Sequence, residues 1–191
     1  MGRYQKIEKI DERLEGFPWE PVLVEKVLIP IHQAKVAFVM GHELGCIALC
    51  GMVGEMLAVF RFQISEYART HGTTNRVTSG RRKVRNFEEQ TQTQRMGLLK
   101  ELGLIDSETK DKLAKLARTR NKWLHRLSET HEALSDDAIE SYRLACELAE
   151  AFFRSGGEGE RFNLNPDVLA YLKGANANAS SRTRENEFQS P

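Results

Sequence analysis

Residues 44-LGCIALCGMVGEMLAVF-60 constrain the fold more than any other stretch of the chain. They are apolar throughout except for one carboxylate, Glu55. A membrane-spanning helix needs about 20 consecutive apolar residues and rarely tolerates a charge near its centre. This segment is too short and is interrupted, so it is expected to form a helix buried in the core of a soluble helical protein. Its small residues, with the one just before it, are Gly41, Gly45, Ala48, Gly51 and Gly54. Each glycine weakens a helix by about 1 kcal/mol relative to alanine, so close approach of a neighbouring helix is expected to offset the loss.

The rest of the composition agrees with a single all-α domain. The chain has 191 residues, 40% hydrophobic and 29% charged, which is a soluble globular profile with enough length for a full core. The formal net charge of +1 excludes a polyelectrolyte, so any attraction for nucleic acid must come from locally placed charge. The three cysteines are odd in number and lie in apolar helical surroundings, which points to buried thiols in a reducing compartment rather than a disulfide framework. The opening 1-MGRYQKIEKIDERLEG-16 is charged throughout and carries no secretory pattern, so a cytoplasmic protein without membrane contact is expected.

Along the chain, residues 1–30 read as an N-terminal arm: a polar lead-in ended by 17-FPW-19, then the proline-bounded apolar segment 20-EPVLVEKVLIP-30, helical or extended. The main domain is expected over 31–155. Helical pattern runs with few breaks from His32 to about Tyr67 and gives way to 68-ARTHGTTNRVTSGRRKVRN-86, which has six bases and no acid. Residues 69–86 are therefore read as a basic loop insertion, of a length that is usually functional or disordered. Three further helices follow, over 91–105, 106–127 and 135–155, the second opened by Asp106 or Ser107 as N-cap. Residues 156–191 form a C-terminal segment whose tail, from Gly174, lacks the apolar content to order itself.

On a wheel of about 100° per residue, Leu113, Leu116, Ala117, Trp123, Leu124 and Leu127 share one apolar arc, and Arg120 falls in its middle. Removing a guanidinium from water without a partner costs several kcal/mol. Three arrangements avoid that cost: snorkelling to the helix rim, pairing with a buried carboxylate such as Glu55, or waiting for an anion at a protein–protein seam. Beside the arc, Arg118, Asn121 and His125 form a polar stripe at i, i+3 and i+7. Arginine offers a fork of donors to phosphate, asparagine can orient it, and histidine exchanges protons near neutral pH. These are the groups that metal-free RNA cleavage requires: a base for the 2′-hydroxyl, a cation for the phosphorus centre, an acid for the leaving oxygen.

The run 120-RNKWLH-125 resembles the R-polar-x-x-x-H signature of HEPN domains, which are helical bundles of about four to five helices. Residues 98-LLKELGLIDSETKDKLAKLARTRNKWLH-125 are also similar to the mannitol-repressor-like and related bacterial branches of that superfamily. The resemblance covers about residues 31 to 155. It implies a homodimer in which two motifs share a composite site, and metal-independent endoribonuclease activity in a toxin–antitoxin or phage-defence setting, with an antitoxin or regulatory protein as a further partner. Carried over, Arg120 would stabilise phosphate charge, His125 would act as acid or base, and Asn121 would orient. The alternative it leaves open is a non-catalytic binding module, an adaptor or transcription-regulator-like protein; no helix-turn-helix supports direct base reading.

Other groups are read beside that site. Arg118 and Glu55 are candidate supporting residues, although Glu55 is also placed to pair with nearby Arg61 or to lie at a helix edge. Arg76, Arg81, Arg82, Lys83 and Arg85 in the loop, with Lys122 and Arg126, are candidate RNA-backbone contacts. His131 stands as a substitute for His125. His42, Cys46 and Cys50 follow at i, i+4 and i+8, with Cys146 elsewhere, but the preferred reading is small thiols packing between helices, so no metal and no cofactor is expected.

Overall fold

The computed structural model describes residues 2–15, 21–71, 87, 90–125, 133–154 and 170, nearly all helix, turn or bend with no strand among them. The basic stretch 72–86, Arg126, His131 and the tail lie outside the described residues. Among the described residues, seven α-helical segments follow one another: α1 (Arg3–Ile7), α2 (Pro21–Leu23), α3 (Ile29–Val39), α4 (Glu43–His71), α5 (Gln92–Glu101), α6 (Ser107–His125) and α7 (Leu134–Arg154). A π-helical stretch, Val24–Leu28, joins α2 to α3 without a break.

The apolar segment around Cys46 is the centre of the molecule. α4 packs against α3, α6 and α7, and Cys46, Ile47, Cys50, Val53, Leu57 and Phe60 are all buried. By length and composition α4 is apolar enough over Glu43–Glu66 to cross a membrane, and 56% of its most apolar stretch is buried inside the bundle. α7 supplies the other half of the core through Tyr142, Ala145, Cys146, Ala149 and Phe153.

The structure locates one break and alters two expectations. The helical pattern from His32 to Tyr67 is interrupted where Gly41 takes a left-handed φ of +84° and turns the chain between α3 and α4. A side chain would strain that turn, and glycine does not. The boundary drawn at residue 30 falls inside the continuous helix 21–39, and Ile7, Leu14, Leu23 and Val27 belong to the same core as α4. Polar ties hold this N-terminal part down: the Lys35 Nζ donates to Asp11 at 2.7 Å and to the Glu8 carbonyl at 3.1 Å, and Arg13 pairs with Glu150 at 3.3 Å. Finally, α4 continues to His71, so Arg69 is helical rather than part of a loop.

The approach to α6 is built from local signals. Thr91 caps α5 by accepting the Gln94 N–H, and Gly103, at φ +68°, ends the turn after it. Asp106 then caps α6 by accepting the Thr109 N–H at 2.7 Å, and this backbone donor holds its carboxyl below the usual range.

Candidate functional site

α6 lies across α4 with Leu113, Leu116 and Trp123 buried, which puts Arg120 directly against α4. Its place there depends on Gly51. A Cβ at that position would come within 2.7 Å of the Arg120 Cδ and 3.2 Å of its Cβ, so the arginine stem occupies the notch the glycine leaves. One helical turn further along α4, the Glu55 carboxylate accepts from the Arg120 Nη1 in a part-buried ion pair. The Nε and Nη2 groups both reach the Asn121 Oδ1, at 3.4 and 3.3 Å. Of the three arrangements open to Arg120, pairing with Glu55 is the one observed. Arg61 donates Nε–H to the Leu104 carbonyl at 2.8 Å.

Asn121 and His125 are exposed, as is Arg118, so the polar stripe expected from helical spacing lies open to solvent. Lys122 is engaged: its ammonium meets Asp137 at 2.9 Å and sits 4.5 Å above the Trp123 ring. The Trp123 indole N–H donates to the same Asp137 oxygen at 2.7 Å, which fastens the motif end of α6 to the first turn of α7. Burial acts to raise the Asp137 pKa, but these two donors outweigh it and hold the carboxyl below its ordinary value. Sequence reasoning missed Gly51, Trp123 and Asp137 as parts of the site. Two signals were available: Gly51 precedes Glu55 by one helical turn, and Asp137 stands in the first turn of a capped helix.

The surface beside this site is apolar. The large hydrophobic side chains exposed among the described residues are Tyr4, Ile29, Val36, Met40, Met52 and Leu124, and all but Tyr4 belong to α3 or its C-cap, α4 and α6. On α4, Gly45 faces Ala37 of α3 and Gly51 faces Arg120 of α6, and Met52 lies between these two directions. Ile29, Val36 and Met40 lie within about 40° of one another in helical phase, about 60–100° from Ala37, and Leu124 follows Arg120 by one turn on α6. The Arg120–Glu55 pair is thus neighboured by exposed apolar side chains of α4 and α6, with Asn121, His125 and Arg118 exposed beside it.

The cysteines behave as core. Cys46, Cys50 and Cys146 are fully buried; burial raises the Cys50 thiol well above its ordinary value and pushes Cys146 up to about 12. No grouping of three His, Cys, Asp or Glu side chains suited to a metal occurs among the described residues. An apolar cavity of about 220 Å³, lined by Leu57, Arg61, Leu113 and Phe152 among others, lies at the opposite end of α6 from the motif. Arg76, Arg81, Arg82, Lys83, Arg85, Arg126 and His131 fall outside the described residues. Comparison of the chain with protein-family models, curated proteins and solved structures finds no match.

Proposed function

We propose that the chain is a HEPN-type, metal-independent endoribonuclease whose composite site forms where two copies meet, in a toxin or phage-defence setting with an antitoxin or regulator as its further partner. The observation that carries this reading is the position of His125 and Asn121: exposed, and beside the exposed apolar side chains Leu124 and Met52, which no other described residue buries. Exposed apolar side chains rimmed by polar ones are the kind of surface at which partners meet, and a second copy placed there brings a second His125 to the same rim.

The chemistry needs two proton-transfer groups. One imidazole takes the proton of a ribose 2′-hydroxyl as that oxygen attacks the neighbouring phosphorus. The P–O5′ bond breaks as the new P–O2′ bond forms, and the second copy's imidazole gives its proton to the departing 5′ oxygen. The products are a 2′,3′-cyclic phosphate and a 5′-hydroxyl. Asn121 lies within this stripe, where its amide dipole acts on the charged phosphoryl group, and the Arg120 guanidinium beside it holds that amide in place.

A second reading has one observation in its favour. The charge of Arg120 is already matched by Glu55, as suits an interface residue of a non-catalytic adaptor or regulator built on the same face. Cleavage of a labelled mixed RNA pool in EDTA separates the two. Wild type should cut; His125→Ala, with unchanged melting temperature and mass, and Arg120→Ala, still folded and of unchanged mass, should not. Absence of cleavage by wild type would remove the nuclease reading and leave the adaptor.

A further inference from the structure

The cations of α6 are not equivalent. Between Lys112 and Lys122 the helix carries five. Lys112 is held by Glu108 at 2.8 Å and Glu147 at 3.0 Å. Lys115 meets Glu140 at 2.7 Å, Arg120 meets Glu55, and Lys122 meets Asp137 at 2.9 Å. The fifth, Arg118, is exposed and makes no ion pair or side-chain hydrogen bond among the described residues.

We infer that Arg118, and not Arg120, is the residue of this surface that grips the RNA backbone, an assignment that rests on the ribonuclease reading above. Three physical points lead to it. First, the Arg120 guanidinium is already engaged, Nη1 by Glu55 and Nε and Nη2 by Asn121, and its stem is seated in the Gly51 notch, so a phosphate there competes with contacts already made. Second, Arg118 lies within about 20° of His125 in helical phase and two turns before it, about 10.5 Å along the axis. Helical side chains lean toward the N-terminus, so the Arg118 guanidinium reaches away from His125. It therefore holds a phosphate flanking the one at which His125 acts, and Asn121 stands between them. Third, arginine is suited to this grip because its planar fork binds two phosphate oxygens at once. Arg118 thus anchors the strand, and Arg120 is a positioning residue that keeps Asn121 oriented and α6 seated on α4.

The two roles differ in what salt does. Each phosphate contact on a single strand contributes about 0.7 to the slope of log K against log salt concentration. The test uses the full chain carrying His125→Ala to silence cleavage, with a labelled single-stranded RNA as probe. Arg118→Gln should lower the slope by about 0.7, equivalent to about fivefold weaker binding at 0.1 M salt relative to 1 M. Arg118→Lys should restore the slope, and Arg120→Gln should leave it unchanged. In the chain with His125 intact, Arg118→Gln should raise KM and leave kcat within about twofold. If wild type binds and cuts RNA but the slope follows Arg120 and not Arg118, the assignment is overturned while the nuclease reading stands. If the chain neither binds nor cuts RNA, both are overturned.

Discussion

Arg120 and Glu55, 65 residues apart in the chain, join α6 to α4 through one ion pair whose side chains are 24% and 31% exposed. Such a pair sits between the exposed case, where coupling is below about 1 kcal/mol, and the buried case, where removing one partner costs about 3–5 kcal/mol. A double-mutant cycle of Arg120→Met and Glu55→Gln, read by urea unfolding, should give a coupling of about 1–2 kcal/mol. Additive single effects would mean that the two charges do not support each other in solution.

Two glycine substitutions should have opposite signs. Gly51→Ala drives a methyl group into the Arg120 stem and should destabilise by about 1–2 kcal/mol, since overpacking outweighs the better helix propensity of alanine. Gly97, inside α5, has nothing within 4 Å of an added Cβ, so Gly97→Ala should stabilise by about 0.5–1 kcal/mol. Unfolding midpoints of the two variants suffice, and equal shifts would contradict the notch.

Acid should loosen the tie between α6 and α7. The Asp137 carboxyl is held below its ordinary 3.8 in the folded chain, so its contribution to stability is complete above that value and is lost as the pH falls through the depressed folded value. Asp137→Asn should therefore reduce stability near neutrality and flatten the decline on acidification below about pH 4. A variant whose decline matches wild type would show that other carboxylates govern it.

The exposed apolar side chains make a prediction about mass. Wild type should sediment as a dimer at micromolar concentration, and Met52→Glu, among those side chains, should sediment as a monomer with unchanged helical circular dichroism. A wild type that stays monomeric at high concentration would remove the composite site.

How much of this was legible in the sequence depended on whether the signal was local. Asp106 as a cap could be read because an Asx side chain bonds its own backbone three residues on. The awkward place of Arg120 could be read from helical phase alone. Its partner could not, because choosing Glu55 requires knowing which helix lies opposite. Phase does argue against Arg61 as the partner of Glu55, since six residues on one helix turn the side chain by about 240°. Met52 was opaque for a different reason: α4 is apolar nearly all round, so no periodicity separates the side it buries from the side it leaves open.

The π-helical stretch Val24–Leu28 has a consequence for the history of the chain. The buried positions Leu23, Val27, Ile31, Ala34 and Phe38 follow at intervals of four, four, three and four, 15 residues in all against about 14.4 for four turns of 3.6. A turn closed over five residues absorbs the excess. Remove one residue between Leu23 and Val27 and the intervals become three, four, three and four, the rhythm of an unbroken α-helix. Glu25 and Lys26 in that gap are solvent-facing and pair with each other. A one-codon deletion there should leave every core contact in place, whereas the same deletion within α6 would rotate His125 away from Arg118 by a full residue step. Length variation between related chains is therefore expected to collect in the first of these places and to avoid the second.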